Sequence, residues 1–192
     1  MNTDTYPASE GDFLRQMYGF FTSPTKAMRV SMRTGNVRAC WTVFAMAAVG
    51  SALGDIVALS NSGEGWVLCF TAMQFVLFFT LFGFCIAAHG LSDLFQGYGS
   101  TRKALPVLAS ALYPLIFSMP AASILLESPD KYVMIKFIIM IYSLILMVKA
   151  VQISFHIHVD KAIVVVWLSL IFLCLPFIVF SAGLMALFFL LL

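Results

Sequence analysis

Charged side chains are scarce in this sequence: Asp, Glu, Lys and Arg make up 10% of its 192 residues. Soluble domains use about a quarter. Hydrophobic residues account for 61% instead, and no stretch is polar enough to build a separate water-soluble domain. The composition therefore excludes an ordinary soluble enzyme or binding domain and indicates a protein whose solvent is lipid.

The motifs of common catalytic and metal sites are also missing. The sequence contains no Walker A motif, no G-x-S-x-G elbow and no H-E-x-x-H motif. His89, His156 and His158 are expected near the cytoplasmic face, but His156 and His158 are two residues apart and so do not share a helical face. The four cysteines have no C-x-x-C spacing and lie in apolar runs, at Cys40, Cys69, Cys85 and Cys174. We expect no enzyme activity, no metal or other cofactor and no nucleic-acid partner.

Long apolar runs dominate the chain. A helix needs about 20 residues to cross a hydrocarbon core of roughly 30 Å. Five runs reach that length, at residues 39–59, 66–89, 104–126, 133–153 and 162 to about 180. They predict an all-α, polytopic membrane protein: a bundle of five transmembrane helices at 39–192, preceded by a short amphipathic N-terminal segment at 1–38.

The basic residues alternate in a way that predicts orientation. Lys and Arg are retained in cytoplasmic loops. Nine of them fall on one side of the five runs, at Arg15, Lys26, Arg29, Arg33, Arg38, Arg102, Lys103, Lys149 and Lys161. The other side has only Lys131 and Lys136. We therefore expect a cytoplasmic N-terminus, without a cleavable signal peptide, and a C-terminus on the outside.

The N-terminal segment predicts two short helices at the cytoplasmic surface. Ser23-Pro24 is typical of a helix start, and Lys26, Arg29 and Arg33 follow at helical spacing. A basic face of this kind is typical of an interfacial helix that contacts anionic lipid headgroups. The alternative is a solvated lead-in to the first span.

Small residues and prolines indicate how the helices pack. Gly50, Gly54 and Ala58 lie four residues apart in the first span and let a neighbouring helix approach closely, within the bundle or across a dimer. The prolines expected to kink or break helices are Pro114 and Pro120 in the third span and Pro176 in the fifth. A broken span can line a transporter site or be a plain kink.

Intramembrane polar residues are few. Asp55 lies near the outer end of the first span, Lys136 near the outer end of the fourth, and Gln74 deep in the second. A short Asp side chain cannot reach far toward the interface, so it needs a partner or water. We expect an Asp55–Lys136 pair, with hydrated access to Asp55 as the alternative.

Three local stretches give the chain a family resemblance. They are GFFTSPTKAM at 19–28, LPVLASALYPLIF at 105–117 and HVDKAIVVV at 158–166. In this order they resemble the Yip family of Ypt/Rab-interacting proteins, in its compact prokaryotic form. The resemblance implies five spans and a bacterial inner-membrane location. The D-L-Y-G-P motif of eukaryotic members is missing, so a Rab partnership is not carried over.

These observations predict a non-enzymatic integral membrane protein of the Yip type, with a scaffold, membrane-organising or partner-binding role. Its expected partners are membrane lipids, together with a second copy of the chain or another membrane protein. The alternative is a small transporter, channel or lipid-translocating protein that uses the broken third span with Asp55, Gln74 and Lys136.

Overall fold

The protein is helical throughout the residues that its computed structural model describes. These are residues 10–34, 37–59, 66–124 and 129–173, with side chains described over 13–34, 37–57, 80–123 and 131–173. The helices are α1 (Glu10–Thr22), α2 (Pro24–Thr34), α3 (Arg38–Leu59), α4 (Trp66–Leu94), α5 (Thr101–Ser110), a 3-10 segment (Tyr113–Phe117), α6 (Ser118–Ile124), α7 (Pro129–Phe155) and α8 (159–173).

Three stretches of the described chain are long and apolar enough to cross a membrane. They are Arg38–Val57, Thr101–Ser123 and Lys131–Phe155. Thr80–Leu94 in α4 is a shorter apolar stretch, and α8 falls in the run expected to form the fifth span. The expectation of a helical membrane protein agrees with these helices, whereas the count of five crossings stays a prediction.

The candidate span Thr101–Ser123, which is the third of the five predicted runs, is broken, as Pro114 predicts. In an unbroken helix the amide of residue 114 would donate to the Ser110 carbonyl, and proline has no amide hydrogen. The preceding amides instead make i to i−3 bonds, from Ala111 to Leu108 and from Leu112 to Ala109. The chain then continues as the 3-10 segment into α6.

The other two prolines have different outcomes. Pro120 is the third residue of α6, where a first-turn amide has no acceptor within that helix. Pro120 therefore lies in the first turn of a new helix and not inside a continuous one, because the third run is already interrupted at Tyr113–Phe117. Pro176 lies outside the described residues.

Gly50 and Gly54 of α3 pack closely against the backbone of the broken span. A Cβ atom built on Gly50 would lie 2.8 Å from the Ile116 Cα, and one on Gly54 would lie 2.7 Å from the Ser118 carbonyl carbon. The two backbones thus approach too closely for any side chain. The small-residue stripe therefore serves packing within the chain at these two positions, while the Ala58 side chain lies outside the described ones.

The broken span is the most enclosed of the three. Two thirds of its most apolar window is buried inside the protein (67%), against 22% for α7. Accordingly α7 exposes large apolar side chains over residues 133–145, among them Val133, Met134, Phe137, Ile138, Ile141 and Ile145. We take this wide apolar face of α7 as its lipid-facing side.

The N-terminal segment forms two helices, as expected, and both pack against the bundle. Phe20 of α1 and Met28 of α2 are fully buried in the common core, and Ala27 and Ser31 are buried beside them. Leu14 and Tyr18, one turn apart on α1, are 67% and 69% exposed. The helices are thus docked elements of the fold that keep an outward amphipathic surface.

Candidate functional site

A polar cluster joins α3 to α7 at one end of the bundle. The Lys136 ammonium forms an ion pair with Oδ1 of Asp55. The Tyr132 hydroxyl, one turn before Lys136, donates to the same oxygen at 3.0 Å. The structure therefore brings together the two residues that sequence spacing predicts as a pair, and adds Tyr132 to them.

The cluster is largely withdrawn from solvent. The Asp55 side chain is 12% exposed and that of Lys136 is 25% exposed. Oδ2 of Asp55 is buried without a hydrogen-bond partner among the described residues. Ion pairing and one neutral hydrogen bond thus hold a carboxylate that would otherwise be costly to bury.

The third expected member of this set, Gln74, belongs to α4, and its side chain lies outside the described ones. A second polar contact links the hydroxyl of the buried Tyr113 to that of the exposed Tyr142 at 3.3 Å. It connects the broken span to α7. The Asp55 cluster and the Tyr113–Tyr142 contact therefore each connect α7 to a neighbouring element.

A basic pocket opens at the other end of the bundle, between α2, the start of α5 and the end of α7. Its volume is about 720 Å³. Three cationic side chains line it: Arg29 and Arg33 from α2 and Lys103 from α5. All three are exposed, and no acidic residue is among the described residues of its wall. The pocket is therefore a concentration of positive charge without a local counter-charge.

Neutral donors complete the pocket. Ser100 lines it and caps α5 through its backbone, with no side-chain capping bond. Ser154 also lines it, fully buried, and its Oγ has no partner among the described residues. Gln152 accepts a hydrogen bond from Lys149 at 3.4 Å through Oε1, which leaves its amide hydrogens as donors. These groups favour an acceptor-rich, anionic ligand.

The turns beside the pocket are fixed to each other. The Tyr98 amide donates to the Phe155 carbonyl at 3.1 Å. The Tyr98 ring stacks on His156 with centroids 4.9 Å apart, and His156 has a left-handed backbone with φ of 54°. The loop before α5 and the turn after α7 therefore form one wall.

Two of the three histidines, His89 and His156, take part in aromatic contacts. His89 stacks on Phe155 with centroids 5.7 Å apart, as His156 does on Tyr98. Among the described residues no three His, Cys, Asp or Glu side chains are grouped closely enough to hold a metal ion. Cys40 and Cys85 are buried free thiols, and Cys69 and Cys174 have no described side chains.

Sequence reasoning finds part of the pocket. Arg29 and Arg33 are among the expected headgroup contacts, whereas Lys26, also exposed, lies outside the pocket wall. Ser100, Lys103 and Ser154 were not expected as ligand-binding residues. All three lie at the predicted cytoplasmic ends of spans three and four, and this shared position could have indicated a common site.

The described residues thus form a helical protein with three stretches long and apolar enough to cross a membrane, an ion pair largely withdrawn from solvent and a basic terminal pocket. Comparison with protein-family models, with curated proteins and with solved structures finds no match to this chain.

Proposed function

We propose that the protein is a non-enzymatic, membrane-organising protein of the Yip type that gathers anionic lipid at its basic end. One observation carries this proposal: α2 is docked on the bundle through Ala27 and Met28, so that Lys26, Arg29 and Arg33 face outward. Fixed charges near a membrane surface attract anionic headgroups more reliably than a mobile tail.

The exposed side chains of α1 support the same function. Leu14 and Tyr18 offer an exposed apolar surface on α1, the helix that packs against α2. Apolar insertion together with electrostatic attraction is the usual basis of interfacial binding. The two helices thus supply both components on one rigid support.

The proposal also includes five spans, a cytoplasmic N-terminus, a bacterial inner-membrane location and membership of the Yip family. The nine-to-two division of basic residues supports the orientation. The three sequence stretches that resemble the family support the membership.

A small transporter, channel or lipid-translocating protein is the second candidate. The break in the third span favours it, because interrupted helices often line substrate sites. The contact between Asp55 and Lys136 weighs against it. Charged groups that satisfy each other are less available to a permeating substrate.

The proposal is tested with the full-length protein in nanodiscs of zwitterionic lipid and a minor fraction of anionic lipid. Native mass spectrometry measures the anionic lipid retained on the protein. Each basic residue of α2 should contribute about 1 kcal/mol, or roughly fivefold in affinity, and salt should screen it. Combined replacement of Lys26, Arg29 and Arg33 by Gln should abolish the enrichment.

The control is Lys131→Gln, which removes an exposed cation from the opposite end of the bundle. It should leave the enrichment unchanged. Equal enrichment in the triple variant and the unaltered protein would overturn the proposed function.

A further inference from the structure

We propose that the basic pocket is a specific binding site for a phosphate monoester, presented by a membrane lipid. This inference rests on the proposed function and goes further, because it names a ligand chemistry and a bounded site. A phosphate monoester carries a charge of about −1.5 to −2 near pH 7 and three strong acceptor oxygens. A diester headgroup presents one charge and fewer free oxygens.

The charge of the pocket fits the monoester. Arg29, Arg33 and Lys103 line one cavity, and none of them forms an ion pair with a described residue. Guanidinium groups bind phosphate through two parallel hydrogen bonds. Three uncompensated cations are more than one diester charge requires, and suit a dianion.

The neutral groups of the pocket point to the same ligand. Ser154 is fully buried, lines the cavity and has an unpartnered hydroxyl within the described structure. A buried polar atom without a partner is costly, and a phosphate oxygen in the cavity would supply the acceptor that this hydroxyl lacks. The α5 N-terminus begins at Ser100 on the same wall, so its unpaired amides and dipole add positive potential.

The position of the pocket favours a lipid as the source of the phosphate. One candidate membrane span begins at Thr101 and another ends at Phe155, so Ser100 and Lys103 lie at headgroup depth. Met32, Ile153 and Ile157 provide apolar wall next to the cations. A glycerol backbone and the first acyl carbons would contact this surface while the phosphate contacts the basic side.

The test compares phosphatidate, a monoester, with phosphatidylglycerol, a diester, at equal fractions in nanodiscs that hold the full-length protein. Native mass spectrometry and competition give relative affinities. The unaltered protein should prefer phosphatidate. Lys103→Gln should lower phosphatidate affinity about tenfold, as expected for loss of one charge-assisted hydrogen bond, with little effect on phosphatidylglycerol.

Arg102→Gln is the matched control, because Arg102 is the exposed neighbour of Lys103 on α5 and lies outside the pocket wall. It should change phosphatidate affinity less than twofold, whereas Lys26→Gln on α2, outside the pocket wall, should weaken phosphatidate and phosphatidylglycerol by the same factor. Ser154→Ala should reduce the preference for the monoester, and Lys103→Gln alone decides the matter if Ser154→Ala fails to fold.

The outcomes separate the pocket from the proposed function. Equal affinity for the two anionic lipids, with equal losses of affinity in the Lys103, Arg102 and Lys26 variants, would overturn the proposed phosphate site. General electrostatic attraction of anionic lipid would then remain as the explanation. No preference for anionic over zwitterionic lipid would overturn both. Glycerol 3-phosphate that competes as well as phosphatidate would overturn the lipid as the source of the phosphate.

Discussion

Asp55 and Lys136 form an ion pair across 81 residues of sequence, and it links the C-terminal part of α3 to the N-terminal part of α7. Oδ1 of Asp55 accepts hydrogen bonds from both the Lys136 ammonium and the Tyr132 hydroxyl. Tyr132 and Lys136 are one turn apart and so occupy the same face of α7. The carboxylate is thus held by two donors on a single helix, and either donor can be removed separately.

Breaking this pair should destabilise the bundle. Asp55→Ala should cost roughly 1 to 3 kcal/mol, less than for a fully buried pair because Lys136 retains solvent contact. Adding Lys136→Met should recover part of that loss, since it removes the unpaired cation. Reversible unfolding in mixed micelles, analysed as a double-mutant cycle, measures the coupling.

Lys131→Met, at an exposed position earlier in the same helix, is the control and should show no coupling to Asp55→Ala. Tyr132→Phe should cost about 1 kcal/mol through its lost hydrogen bond. Purely additive effects of Asp55→Ala and Lys136→Met would contradict the pair and favour hydrated access to Asp55.

The close contact between α3 and the broken span makes its glycines sensitive to any added carbon. Gly50→Ala and Gly54→Ala should each destabilise the protein by about 1 to 3 kcal/mol, because the new methyl group would overlap backbone atoms. Gly90→Ala is the comparison, because a Cβ there meets nothing within 4 Å. Its expected effect is a gain of about 0.5 to 1 kcal/mol from helix propensity. A tolerated Gly54→Ala would argue against this packing.

Docking of the N-terminal helices depends on Phe20. Phe20→Ala removes a fully buried ring and should cost about 3 to 5 kcal/mol. Leu14→Ala, on the exposed side of the same helix, should leave stability nearly unchanged while weakening contact with lipid. Hydrogen exchange of α1 and α2 reports the difference. Similar protection in the two variants would mean that the helices are not docked through the core.

The proposed orientation predicts where engineered cysteines react. In a background with the native cysteines replaced, a cysteine at Ser100 should react with a membrane-impermeant maleimide from the cytoplasmic side. One at Ser128, outside the described residues, should react from the opposite side, as should one at Leu192. Labelling of positions 100 and 128 from one side would rule out the five-span arrangement.

Several features of the fold could be predicted because they follow from local chemistry. Pro114 removes a hydrogen bond wherever it falls in a helix, so the break in the third span was expected. Asp55 needs a partner because it is short and lies inside an apolar run, and Lys136 is the cation at matching depth. Ser23-Pro24 marks the start of α2, as a serine followed by a proline predicts.

Other features depend on tertiary packing and were not predictable. Pro120 lies in the first turn of α6, and this position depends on where the helix restarts after the 3-10 segment. The pocket combines α2 with Lys103 and Ser154, from segments far apart in sequence. Only the docking of α2 against α5 and α7 brings these groups together.

The lengths of the spans have a consequence for how the bundle sits in a bilayer. The candidate span in α3 has 20 residues and that in α7 has 25, or about 30 Å and about 37 Å at 1.5 Å per residue. A hydrocarbon core of roughly 30 Å matches α3 directly, and the longer α7 is accommodated by tilting or by a locally thicker bilayer. Thinner membranes would increase that tilt and thicker ones would reduce it, which makes the α3–α7 crossing angle responsive to bilayer thickness.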